Sequence, residues 1–144
     1  MRFFDGVMMI NNNYVPQWYK TPFQHIKYTL VRNQDQLDIL FDSVKAPYDF
    51  LEGGADARVN LQDGYAVVQI GDCDNWDLIQ VHGLLLHEAV HIWQEVALVM
   101  GEENPSVEFE AYSIQAIAQD LFEMFEASTL RELTDEQKEN KTLA

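Results

Sequence analysis

Residues 87 to 91 read His-Glu-Ala-Val-His, two imidazoles four positions apart with a carboxylate beside the first. On a helix, positions four apart share one face, so His87 and His91 can hold a single metal ion while Glu88, one step round, reaches a water on that ion. The spacing therefore encodes two metal ligands and a general base. The chemistry it suits is attack of a metal-activated water on an electrophilic carbon.

The flanks are those of a buried helix: Leu84-Leu85-Leu86 precede the motif, Ala89 and Val90 fill it, and Ile92-Trp93 follow. An apolar core helix whose histidines hydrogen-bond nearby backbone is the structural alternative. Two inward histidines and an inward glutamate without a partner are costly to bury, and a metal supplies that partner.

A series of elements must position these groups. The first 24 residues, with Asn11-Asn12-Asn13, Pro16 and Pro22, are irregular, yet Tyr14, Trp18, Tyr19 and Phe23 mark an aromatic arm packed over the domain. Residues 25–32 alternate as a strand. A helix capped by Asn33 carries Leu37, Leu40, Phe41 and Val44 until Pro47 stops it. Residues 57–61 and 65–70 flank Gln62-Asp63-Gly64, a hairpin signal. Asp74 or Asn75 caps a long helix from about Trp76 to Met100, ended by Gly101. Asn104-Pro105 opens another that runs to about residue 127, and a charged tail occupies 128–144.

A catalytic zinc takes three protein ligands and keeps one position for water. The only cysteine is Cys73, so neither an internal disulfide nor a cysteine-built zinc site is expected. A third histidine six residues after the second, in the extended form of the motif, is excluded because Gln94 and Ala97 stand in that region. Glu95 continues the face of His87 and His91, but three successive turns cannot converge on one ion. His25 and His82 are assigned no role. Glu108 and Glu110 on the next helix remain as candidates. An apolar stripe through Ala111, Ile114, Gln115, Ala118 and Phe122 favours Glu108.

Over residues 57–125 the chain resembles the gluzincin class of metallopeptidases, specifically the short single-domain minigluzincins, which include small phage- and mobile-element-encoded members. The shared features are a hairpin, the His-Glu-x-x-His helix and a following helix with Glu-x-x-Ala. The resemblance implies an α+β, zincin-like domain with a small antiparallel or mixed sheet, one Zn²⁺ per chain held by His87, His91 and Glu108, and Glu88 as general base. It also implies an edge strand that pairs with extended substrate, expected at residues 65–70. Where the family often has Asp or Asn after the alanine, this chain has Tyr112, on the face of Glu108 and able to hydrogen-bond a ligand or a developing oxyanion.

The remaining composition narrows the partners. At 144 residues with 47% hydrophobic side chains, one domain spanning 1–144 is expected. Nine basic against 24 acidic residues give a net charge of -15, which argues against nucleic acid and anionic membranes. No apolar run reaches about 18 residues, the opening ten residues lack a cleavage site, and the lone thiol points to the cytoplasm. The expected function is a zinc-dependent metallopeptidase acting on a peptide or protein substrate. The competing expectation is a catalytically idle zincin-fold binding or structural protein of a phage or mobile element.

Overall fold

Ala66 to Ile70 are five consecutive buried residues, so the strand that carries them must be covered on both faces. The computed structural model describes residues 14–41, 46–73 and 75–143, with side chains through Thr129 except Gln24. Among them the chain is α+β: β1 (Tyr19–Lys20), β2 (Lys27–Val31), α1 (Gln34–Leu40), β3 (Ala57–Gln62), β4 (Tyr65–Ile70), α2 (Leu78–Met100) and α3 (Val107–Leu143). The sheet order is β1-β2-β4-β3, with β1 antiparallel to β2, β2 parallel to β4, and β4 antiparallel to β3.

Alternation along β4 feeds two cores. Ala66, Val68 and Ile70 join Leu85, Ala89 and Ile92 of α2 and Ile117 and Leu121 of α3 in the larger one. Val67 faces the other way, against Val31, Leu37 and Ala46. Tyr14 and Trp18 of the aromatic arm lie on this second face: Tyr14 packs on the smaller core and Trp18 meets Tyr65 edge to face. Residues 1–13 of the expected arm lie outside the described residues.

Local signals explain most boundaries. The Asn33 side chain accepts from the Gln36 N–H at 2.8 Å and so caps α1; Val44, expected in this helix, lies outside the described residues. Asp63 and Gly64, at φ 50° and 83°, make the two-residue turn between β3 and β4 that needs positive φ at both positions. The start of α2 differs from expectation. Asp77, rather than Asn75, forms a reciprocal capping box with Gln80, while Asp74 lies outside the described residues. Gly101, left-handed at φ 72°, ends α2 as anticipated. Ser106, rather than Asn104, caps α3 by accepting from the Phe109 N–H at 3.2 Å. The helix then continues through the charged tail to Leu143, because Glu, Gln, Lys and Leu there are good helix formers.

Two polar ties cross the layers. The Tyr28 hydroxyl donates to Asp120, joining β2 to α3. Arg32 is 9% exposed, and its guanidinium donates to the carbonyls of Ile70 and Gly71 and to the hydroxyls of Ser128 and Thr129 while lying 4.5 Å from the Phe125 ring centroid. No described helix is long and apolar enough to cross a membrane.

Arg32→Met would remove the donor to the Ile70 and Gly71 carbonyls and the ring contact with Phe125, at a cost of about 2–3 kcal/mol. Urea unfolding should show a lower midpoint with an unchanged slope; an unchanged midpoint would show that the guanidinium is dispensable.

Candidate metal-binding and hydrolytic site

The core-facing side of α2 is set by Val81, Leu85, Ala89, Ile92 and Val96. On a 3.6-residue helix His87 and His91 then fall on the outer surface, and Glu88 falls on the flank between the two. The structure follows this geometry: both histidines are exposed, whereas Glu88 is 5% exposed. The expectation of two inward histidines is thereby corrected. Only the carboxylate is buried, because Leu85, Ala89 and Ile92 occupy the core face that the apolar flanks of the motif had suggested for the histidines as well.

The two imidazoles converge. Their Nε2 atoms lie 3.1 Å apart, with the rings at 79° to one another. Two nitrogens bound to one tetrahedral zinc at its usual bond length stand roughly 3.3 Å apart, so this pair fits a shared ion with almost no adjustment. His91 Nδ1 lies 3.0 Å from Gln94 Oε1. An amide oxygen can only accept, so Nδ1 carries the proton and the Nε2 lone pair is left facing His87. Gln94 was not singled out from the sequence, although an acceptor three residues after a ligand histidine was the available signal.

Burial raises the Glu88 carboxyl above its ordinary range, and the positive ends of His87, His91 and Arg58 partly offset this. Arg58, on β3, was likewise missed. Its Nη1 donates to the Glu52 carbonyl, and its Nε is buried without a hydrogen-bond partner among the described residues.

The following helix turns only part of its expected face inward. Ser113, Ile117, Leu121 and Met124 are buried, whereas Ala111 and Gln115 are exposed and Tyr112 is 66% exposed. Of the stripe read through Ala111, Ile114, Gln115, Ala118 and Phe122, Ala118 is buried and Ile114 and Phe122 pack against the core, whereas Ala111 and Gln115 are corrected to solvent, and Glu108 is exposed with them. Ala111 and the Gln115 amide tolerate water, while Ile117, Leu121 and Met124 are taken into the core. Glu110 is the glutamate that meets α2, accepting from Trp93 Nε1 at 2.9 Å. Among the described residues no third His, Cys, Asp or Glu gathers with His87 and His91. His82 stacks on Phe122 at 4.3 Å between centroids, a packing contact.

The edge strand is also reassigned. Residues 65–70, expected at the edge, form β4, which is hydrogen-bonded on both sides. Among the described residues the unpaired edge on the side of α2 belongs to β3, which packs against that helix. No protein-family model, curated protein or solved structure matches the chain.

Burying an ionised Glu88 costs stability, so the unfolded chain releases its proton more readily than the folded one. Glu88→Gln should therefore stabilise the metal-free protein at neutral pH. Because the folded carboxyl is raised, the wild-type penalty is absent below the ordinary carboxyl range and grows as pH rises through it. Unfolding midpoints of both forms across that range should converge in acid; a gap independent of pH would assign the effect to packing instead.

Proposed function

We propose that this chain is a zincin-like, zinc-dependent metallopeptidase that hydrolyses a peptide or protein substrate. The observation that carries the reading is the 3.1 Å approach of the His87 and His91 Nε2 atoms beside a buried Glu88. His87 and His91 would hold the ion through these atoms, and their donor chemistry suits Zn²⁺. The third ligand in this reading is Glu108, which is carried over from the gluzincin resemblance and is exposed on α3.

A bound divalent ion supplies Lewis acidity that makes water more acidic and a carbonyl more electrophilic. Glu88 takes the proton of the attacking water and returns it to the leaving amine. A carboxylate whose proton affinity is raised by burial suits both steps, since it is a stronger base than an exposed one. Gln94 holds the His91 ring, and the free edge of β3 offers backbone groups to which an extended substrate adds as a strand. Tyr112 is exposed, so a role on the oxyanion in this reading requires substrate to reach α3.

A second reading, a catalytically idle zincin-fold component of a phage or mobile-element assembly, draws on the exposed Leu86, Leu98 and Val99 along α2. Exposed apolar side chains on the helix that carries the histidine pair suit a protein partner as well as a substrate.

Untagged protein should carry one zinc per chain by elemental analysis, and His87→Ala or His91→Ala should lose it. Glu88→Gln should retain zinc and abolish cleavage in a peptide-library digest; if wild type is equally inert, the binding reading prevails. Glu108→Ala should weaken zinc by at least about 10- to 100-fold, the range typical even of residues that only support a ligand. Release of zinc by Glu110→Ala but not by Glu108→Ala would transfer the ligand role to Glu110.

A further inference from the structure

The opposite face of the sheet holds a second feature, independent of the histidine pair. A cavity of about 390 Å³ opens there, within the size range of small-ligand sites. Four aromatic rings line it in two near-perpendicular pairs. Trp18 and Tyr65 meet at 5.6 Å and 68°, and Phe41 and Tyr48 at 5.9 Å and 84°. Asn60 and Asp63 supply polar groups.

The chemistry of the walls selects a charge sign. No Lys, Arg or His is among the described residues lining the cavity, whereas Asp63 contributes a carboxylate, and the chain as a whole carries -15. Such a field repels anions and draws in cations. Perpendicular aromatic walls present both ring faces and ring edges, and the faces attract cations. Tyr65 already has one such neighbour: Lys27 Nζ lies 6.0 Å from its ring centroid, outside the cavity lining. Among the described residues the other nearby cation is Arg58, which acts on the Tyr48 hydroxyl electrostatically but is not part of the lining and hydrogen-bonds to the Glu52 carbonyl. A bare metal ion or ammonium would lose too much hydration against apolar rings. A nitrogen cation clothed in alkyl groups loses little and fills the volume.

We propose that this cavity binds an alkylated ammonium group, held over the rings of Trp18, Phe41, Tyr48 and Tyr65 with Asp63 as counter-charge. The group can belong to a free small molecule of the choline type or to a methylated lysine side chain on a protein. Asp63 sits at the β3–β4 turn, left-handed at φ 50°, and is among the residues lining the cavity.

Calorimetric titration of the full chain with choline, with a trimethyllysine peptide and with 3,3-dimethylbutanol, the uncharged carbon analogue of choline, tests this. At least one of the two cationic probes should bind about tenfold or more tightly than the alcohol. Choline binding without peptide binding identifies a free ligand, and tighter peptide binding identifies a modified side chain; either supports the proposal. Tyr65→Leu should weaken the cation about fivefold while far-UV circular dichroism stays unchanged. Asp63→Asn, which the left-handed turn tolerates, should weaken it too and flatten its salt dependence. Equal or tighter binding of the alcohol, heat from neither cation at millimolar concentration, or binding of glucose in preference to both cations would overturn the proposal. If Tyr65→Leu fails to fold, the wild-type comparison of cation with alcohol still decides. Neither result depends on zinc.

Discussion

Burial of β4 on both faces is the constraint from which the rest of the architecture follows. A strand covered on one side alone would need only one helical layer, and its polar alternation would be visible. Here Val68 and Ile70 demand α2 and α3, while Val67 demands α1 and the aromatic arm. Gln69, fully buried, is tolerated because its amide is used at both ends: Oε1 accepts from the Leu51 N–H at 2.7 Å and Nε2 donates to Asn60. A buried amide left unpaired would cost more than the strand could absorb.

Placing β4 inside the sheet forces β3 to the edge, and this bears on the histidine pair. The edge strand packs on α2, where Glu88 is buried, and its Arg58 acts electrostatically on that carboxylate. His87 and His91 sit one step further round and remain in contact with water. The pair is thus accessible while its proposed base is shielded. Solvent exposure suits ligands that must meet a substrate, and desolvation suits a group whose proton affinity has to be high.

The α2–α3 interface is chosen by bulk rather than by the smallest side chains. On α3, Ile117, Leu121 and Met124 bury more apolar area than Ala111 and Gln115 can, so the rotation that buries the larger row against α2 is preferred. That rotation turns Glu108 and Tyr112 outward and lets Glu110 satisfy the Trp93 indole N–H. A buried indole donor without an acceptor would be a further cost, which makes Glu110 part of the packing.

What the sequence determined by itself was local. The Asn33 cap, the Asp63-Gly64 turn, the Gly101 stop and the four-residue spacing of His87 and His91 are each set within a few residues by hydrogen-bond reach or allowed φ, and each is found where the sequence placed it. What only the tertiary structure decided was relative. A continuous apolar run such as residues 66–68 states that a strand is buried but not which strands flank it, so the edge went to β3 rather than β4. Likewise, an amphipathic pattern on α3 offers two adjacent stripes, and nothing within the helix ranks them. The choice is made by the shape of α2 opposite, because packing energy belongs to the pair of surfaces and not to either sequence alone.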